Sequence, residues 1–138
     1  EALADFSVTI PEWGTVTAKY PPMIFLTSNA MRDFSDGLKR RCVHYYIDYP
    51  SPEREAAILC RRLPGISAAF AKDIAVFVEK VRRAKLSHVP GLAEVLDWAQ
   101  VLWELGIGDL NDPEVQKTYH FLAKSREDLA VLTEIPIK

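Results

Sequence analysis

The spacing of hydrophobic and polar residues changes near Pro50. Before it, apolar residues form short runs or alternate with polar ones, which is typical of β-strands. After it, apolar residues recur every three or four positions, which is typical of amphipathic helices. The sequence therefore predicts an α/β part over residues 1–50 and an all-helical domain over residues 51–138, with a mainly helical chain overall.

The first predicted element is a β-hairpin. Residues 6–10 (FSVTI) alternate between apolar and polar, residues 15–18 (TVTA) form a second short strand, and the turn between them carries Trp13 at its tip. Two interpretations of Trp13 stay open: its indole packs back onto its own hairpin, or it contacts a substrate or partner.

Two apolar runs after the hairpin predict two strands of a sheet. Residues 23–27 (MIFLT) are almost unbroken in their hydrophobicity, as expected for a strand buried on both faces of a parallel sheet. This run stops at the polar pair Ser28-Asn29. Residues 43–47 (VHYYI) are β-branched and aromatic and predict a second strand.

The residues between these strands carry the candidate chemistry. Ser35 or Asp36 can cap a short helix, GLKRRC, that ends in Lys39, Arg40 and Arg41. A polar side chain at the end of a buried strand is where α/β sheets place ligand-binding groups. An arginine pair at the end of the next helix suits binding of a phosphate across an interface.

The helical part predicts four amphipathic helices joined by short loops, and a last segment after them. Ser51 and Ser67 cap the first two helices, the third follows Gly91, the fourth begins near Pro113, and Ser125 begins the last segment. Such apolar stripes must cover one another, so we expect a small helical bundle. The inward positions are Ala56, Leu59, Cys60, Leu63, Phe70, Ala71, Ile74, Phe77, Val78, Val81, Leu92, Val95, Leu96, Ala99, Leu102, Trp103, Val115, Tyr119, Leu122, Leu129 and Leu132.

The composition of the chain argues against several classes of function. The chain has 138 residues, 49% of them hydrophobic, and a net charge of −2, which argues against general binding to nucleic acid or to membrane surfaces. No apolar run approaches the ~20 residues that span a bilayer, and no signal peptide is visible. The two cysteines lack metal spacing, so we expect a cytoplasmic protein. Because the chain begins without Met, in what looks like the tail of a helix, we interpret it as a fragment.

The chain resembles the AAA+ ATPase family, and most closely its MoxR-like (CoxD-like) branch. The resemblance rests on the order of three features: a strand that ends in TSN, the short helix SDGLKRRC, and the start of the next helix at YPSPEREAAI. The resemblance covers essentially the whole chain, with the last part of the nucleotidase core followed by a helical lid. It implies that Asn29 is sensor 1 and that Arg41 is the arginine finger, with Arg40 as second choice. It also implies that the hairpin with Trp13 faces the ring's centre or a partner.

The resemblance further implies ATP and Mg²⁺ as cofactors of a parent protein that forms a ring, usually a hexamer. In this branch, ATP hydrolysis is coupled to remodelling or maturation of a partner, which often carries a von Willebrand factor A domain. Asn29 would orient the attacking water, since an amide both donates and accepts. Arg41 would neutralise charge on the transferring phosphoryl group.

The chain departs from the family pattern in two places. Where many relatives place the sensor 2 arginine, this chain has Ala93 followed by Glu94, so we assign no sensor 2. No G-x-x-x-x-G-K-[ST] phosphate loop and no apolar strand ending in Asp-Glu occur in the sequence. In this family both precede the hairpin. We therefore expect no ATPase activity from this fragment alone.

Two rival interpretations remain. The first is a protein-interaction module, an α/β piece with a helical bundle, that never binds nucleotide. The second is an AAA+ protein acting on DNA, which the acidic net charge and the absence of a basic stripe disfavour.

Overall fold

The structure is a computed structural model that describes residues 5–28 and 34–137. The chain divides into two compact units, Glu1–Ile47 and Asp48–Lys138, and each is treated by itself below. The fold is mainly helical with a small antiparallel sheet, as the sequence predicts at this coarse level. The interpretation of the two units as an ATPase core and a lid stays a prediction.

The hairpin is present in the first unit. Strand β1 (Ser7–Ile10) pairs antiparallel with β2 (Gly14–Thr17), each within one residue of its predicted bounds. The N–H of Trp13 donates to the carbonyl of Ile10 at 3.1 Å and closes the turn. Gly14 then adopts a φ of 85°, a conformation that glycine reaches without steric cost.

The two further strands predicted for the first unit are wrong. Residues 23–27 and 43–47 lie in irregular backbone, and the side chains of Met23, Phe25 and Val43 are 84%, 83% and 100% exposed. A strand buried on both faces needs flanking strands for its backbone groups and helices over its faces. Within the described ranges, the first unit offers only the hairpin and the one-turn helix α1 (Asp36–Lys39).

The second unit contains the remaining helices, and serines begin three of them as predicted. The hydroxyls of Ser51, Ser67 and Ser125 accept backbone N–H bonds from the residue three positions later. Each of these bonds satisfies one of the donors that a helix start leaves without an internal partner. The elements are α2 (Pro52–Arg62), α3 (Ala68–Arg83), α4 (Leu92–Glu104), α5 (Glu114–Lys117), a 3₁₀ turn (Tyr119–Phe121) and α6 (Arg126–Glu134).

The predicted four-helix bundle is not seen as such, because the fourth helix is interrupted. Its backbone bonds tighten to a three-residue spacing, from Thr118 N–H to Val115 C=O and from Leu122 N–H to Tyr119 C=O. The hydroxyl of Thr118 also donates to the carbonyl of Val115 at 2.6 Å. The inward positions were nevertheless correct, since Val115, Tyr119 and Leu122 are all buried.

Three aromatic rings lie at the centre of the core. Phe77 on α3 lies 5.7 Å from Trp98 on α4 and 5.8 Å from Tyr119, centroid to centroid. The indole N–H of Trp98 donates to the hydroxyl of Thr118 at 2.7 Å, so its polar atom is satisfied inside the core. Burial raises the pKa of the Tyr119 phenol.

Helix α4 is rotated slightly from its predicted orientation. Trp98 is fully buried, whereas Trp103, placed inward from the sequence, is 48% exposed. Trp98 lies three residues after Val95 and four before Leu102, which places it in the middle of the apolar stripe. Trp103 lies at the edge of that stripe and packs over Gly65 in the loop between α2 and α3.

Candidate functional site

The basic turn at the end of α1 carries the candidate finger residues. The carbonyl of Ser35 accepts from the N–H groups of Leu38 and Lys39, and the N–H of Arg41 continues the turn to Leu38. The side chain of Ser35 makes no capping bond. This turn places Lys39, Arg40 and Arg41 in succession on an exposed surface.

The Arg41 guanidinium folds back along this turn. Its Nη1 donates to the carbonyl of Gly37 at 2.9 Å. This bond uses one of five N–H donors on the planar guanidinium. Since Arg41 and Arg40 are both exposed, an incoming anion can reach either cation. A carboxylate or phosphate fits such donors in a bidentate manner.

The other predicted catalytic residue, Asn29, lies outside the described residues. The structure therefore gives no distance between Asn29 and the arginines, and its assignment as sensor 1 stays a prediction.

Trp13 lies at the exposed tip of the hairpin. Its side chain is 83% exposed, so the indole is not packed onto its own strands. The turn bond to Ile10 holds the Trp13 backbone while the ring faces solvent. An exposed large aromatic on a hydrogen-bonded turn is well suited to contact another protein.

One face of the hairpin is apolar and the other is polar. Val8 pairs with Val16 on one face, whereas Thr9 pairs with Thr15 on the other, with 3.1 Å between their hydroxyls. The apolar face lines an open concavity of about 290 Å³. Ligand pockets usually combine apolar walls with a few convergent polar groups. This concavity is lined by Phe6, Val8, Ile10, Val16, Ala18, Pro22 and Ile24, so it is better suited to packing against protein than to orienting a small molecule.

In the helical unit, Arg82 precedes the missing sensor 2 position by 11 residues, and its guanidinium is already engaged. The Arg82 guanidinium donates to both carboxylate oxygens of Glu55, at 2.7 and 3.0 Å, and its Nε donates to the carbonyl of Pro90 at 3.0 Å. The two side chains are 8% and 1% exposed. The ring of Tyr49 lies 4.4 Å from the guanidinium carbon. Arg82 therefore joins α2, α3 and the loop before α4, and it does not face a ligand site.

Two neighbouring charged residues, Arg83 and Glu94, also have structural partners. Arg83 pairs with Glu79 one turn earlier on α3, at 2.7 Å on the surface. Glu94, which follows the position of the absent sensor 2 arginine, accepts the N–H of Gly91 at 3.1 Å and lies 3.6 Å from His88. Its own backbone N–H is the main group that lowers the pKa of the Glu94 carboxyl, and His88 and Gly91 add to this effect. Glu94 thus caps α4.

A buried carboxylate fixes the loop between α3 and α4. Asp128 on α6 accepts the Ser87 hydroxyl at 2.6 Å, the Ser87 N–H at 2.7 Å and the His88 N–H at 3.2 Å. It is 2% exposed. The Ser87 hydroxyl, followed by the backbone N–H of Ser87, holds the pKa of Asp128 below its usual range. This cluster ties the loop to α6.

Sequence reasoning missed the Glu55–Arg82 pair and the role of Asp128. Glu55 lies four residues before Leu59 on the apolar face of α2, where a charged side chain is unexpected. Arg82 lies four residues after Val78 on the apolar side of α3. Opposite charges on two facing apolar stripes indicate a buried ion pair.

Among residues 5–28 and 34–137, no cluster of three or more His, Cys, Asp or Glu side chains could hold a metal ion. The helices in the described ranges are too short or too polar to span a bilayer.

No protein-family model matches the chain, and neither the curated proteins nor the solved structures contain a significant match to it.

Proposed function

We propose that this chain is the C-terminal part of a MoxR-like AAA+ ATPase, with the end of the nucleotidase core followed by the helical lid. The observation that carries the proposal is the exposed arginine pair at the end of α1. Arg40 and Arg41 follow a hydrogen-bonded turn and precede the unit that begins at Asp48. A hairpin before this turn and a helical unit after it are the order that the family requires.

In this proposal Arg41 acts in a neighbouring subunit's site. Water attacks the γ-phosphorus of ATP while the bond to the bridging oxygen of ADP breaks, and negative charge spreads over the phosphoryl oxygens. The Arg41 guanidinium stabilises that charge, with Arg40 as the alternative, and Asn29 orients the water. Among the described residues, the exposed Arg40 and Arg41 fit the role of an arginine that acts in a neighbouring subunit's site. The phosphate cradle and the Mg²⁺ ligands would come from the part of the parent protein that precedes the hairpin.

The parent would assemble as a ring, usually a hexamer, and would remodel or mature a partner protein. A von Willebrand factor A domain is the partner class that the resemblance favours. Trp13 on the hairpin tip would contact this partner or a substrate in the ring's centre. The helical unit would act as the lid, although its interrupted fourth helix differs from the regular bundle expected.

The first test is the gene sequence upstream of the codon for Glu1. A phosphate loop followed by an apolar strand ending in Asp-Glu supports the proposal. The absence of both motifs there overturns it.

The second test uses the parent ring with Arg41→Ala. We expect ATP turnover to fall by about 10³–10⁵-fold, because an arginine finger contributes on that order, with nucleotide binding retained. Arg61→Ala is the matched control, since Arg61 is also an exposed arginine but lies on α2. Turnover within about twofold of wild type in both Arg41→Ala and Arg40→Ala would rule out a finger role for this turn.

A second candidate is a protein-interaction module that never binds nucleotide. The exposed Trp13 and the purely apolar concavity of the hairpin favour it, because both are suited to contact with protein. In that case Trp13→Ala abolishes partner binding, whereas Arg41→Ala leaves it unchanged.

A further inference from the structure

The segment that leads into α2 is unusually constrained in its backbone. Tyr49, Pro50, Ser51 and Pro52 follow one another, and each proline fixes its own φ and restricts the residue before it. Ser51 has φ −62° and ψ 157°, and it caps α2 through both its carbonyl and its hydroxyl. Few soft dihedral angles therefore remain between Tyr49 and the helix.

The ring of Tyr49 contacts α3 through the side chain of Arg82. It lies over the Arg82 guanidinium, 4.4 Å from the guanidinium carbon, which is within the range of a cation–π contact. Arg82 cannot easily turn away, because Glu55 and the carbonyl of Pro90 hold three of its N–H groups. Tyr49 therefore stacks on a cation whose orientation is already fixed.

We propose that Tyr49 anchors the entering segment, so that Tyr49–Ser51 forms a rigid N-terminal extension of α2 and backbone freedom begins before Tyr49. The boundary between the two units agrees with this assignment, because the second unit begins at Asp48. A rotation applied at Asp48 is passed to α2 along the backbone and to α3 through Arg82 at the same time. This role does not depend on nucleotide chemistry.

The test is ¹⁵N relaxation of the full chain. We expect order parameters of about 0.85 at Tyr49 and Ser51 and below about 0.6 at Tyr45 and Tyr46. Tyr45 and Tyr46 are 87% and 84% exposed, and so they are matched tyrosines without an anchor of this kind. Equal order parameters at Tyr45 and Tyr49 overturn the proposal.

Variants of Tyr49 distinguish the contribution of its ring to the rigidity of the segment from that of the prolines. Tyr49→Phe keeps the stack and should keep the order parameter of residue 49. Tyr49→Ala should lower it towards the values of Tyr45, since only the restriction by Pro50 then remains, with the thermal midpoint of the helical unit almost unchanged. If residue 49 stays rigid in Tyr49→Ala, the prolines alone constrain the segment and the anchor is refuted.

Arg82→Lys gives an independent test from the other partner. Lysine keeps the charge, but its ammonium group cannot reproduce the planar fork that bonds to Glu55 and Pro90 while stacking on a ring. We expect residue 49 to become mobile in this variant as well. If Arg82→Lys fails to fold, the Tyr49 variants alone decide the proposal. Tyr45→Ala is the control and should leave residue 49 unchanged.

Discussion

The two units use their hydrophobic residues in opposite ways. In the helical unit, Phe77, Trp98 and Tyr119 are almost fully buried against one another. In the first unit, Phe25, Val43 and Ile47 are between 83% and 100% exposed, although these residues are equally apolar. The difference shows that hydrophobicity alone does not create a core, because each apolar side chain also needs a surface to cover it.

The reason lies in how helices and strands satisfy their backbones. A helix bonds its own N–H and C=O groups, so α2, α3 and α4 need only to cover their stripes. A strand needs another strand beside it, and a strand buried on both faces needs covering layers as well. The described part of the first unit supplies a two-stranded hairpin, and isolated hairpins are at best marginally stable.

The largest expected difference between the units comes from deleting an aromatic ring. Phe77→Ala should reduce the free energy of unfolding by about 3–5 kcal/mol, because a fully buried ring leaves a cavity between Trp98 and Tyr119. Phe25→Ala is the matched control and should change it by less than about 0.5 kcal/mol. Denaturant unfolding followed by near-ultraviolet circular dichroism measures both. Similar losses in the two variants would contradict the comparison.

The second difference concerns two adjacent arginines of α3. Arg82→Met leaves the Glu55 carboxylate buried without a cation, which should cost about 3–5 kcal/mol of stability. Arg83→Met breaks a surface pair that is worth about 0.3–0.5 kcal/mol. Adding Glu55→Leu to Arg82→Met should restore most of the loss, since hydrophobic residues often replace a buried pair without penalty. Chemical denaturation of all four proteins tests this, and equal effects of the two single arginine variants would refute it.

Local signals predicted the helical unit well. The serine caps of α2, α3 and α6 and the buried stripe of α3 follow from residues three or four positions apart, so the sequence displays them directly. The same rules missed the interruption after α5, where Thr118 accepts a hydrogen bond from Trp98, a residue 20 positions away in the chain. They also missed the Glu55–Arg82 pair, whose partners are 27 residues apart.

The candidate site was less predictable. The sequence placed Arg40 and Arg41 at the end of a short helix, and the structure has a one-turn helix there. Which group the two arginines would bind depends on the surface of another subunit, and a local sequence pattern does not encode that surface. The predicted strands over residues 23–27 and 43–47 were wrong for a related reason, because strand pairing depends on residues that are distant in the chain.

A smaller, pH-dependent effect is expected at the loop between α3 and α4. Because hydrogen bonds lower the folded-state pKa of Asp128, its contribution to stability is present above the unfolded pKa of about 4 and is lost as the pH falls through the lowered value. Asp128→Asn should therefore be less stable than wild type at pH 7, and the difference should narrow as the pH falls below about 4. Asp73→Asn, at an exposed carboxylate of α3, is the control. Thermal unfolding between pH 3 and 7 measures the difference, and a gap that is constant with pH would contradict this role.

The smallest expected effect lies at the edge of the helical unit, where burial gives way to exposure. A Cβ added at Gly65 would lie 2.5 Å from Nε1 of Trp103, so Gly65→Ala must shift either the indole or the loop, and we expect the indole to move. Since Trp103 is already 48% exposed, the ring can move into solvent, and the loss of stability should stay below about 1 kcal/mol.

The matched control for this substitution is Gly108→Ala, because a Cβ at Gly108 meets no atom within 4 Å. The indole N–H signal of Trp103 in a ¹H–¹⁵N spectrum should shift in Gly65→Ala and remain in place in Gly108→Ala, while the signal of buried Trp98 stays unchanged in both. A Trp103 signal that does not move in Gly65→Ala would mean that the loop, and not the ring, accommodates the methyl group. A shift at Trp98 would mean that the edge of the unit is packed as rigidly as its centre. That outcome would contradict the expectation that packing loosens from buried Trp98 to half-exposed Trp103.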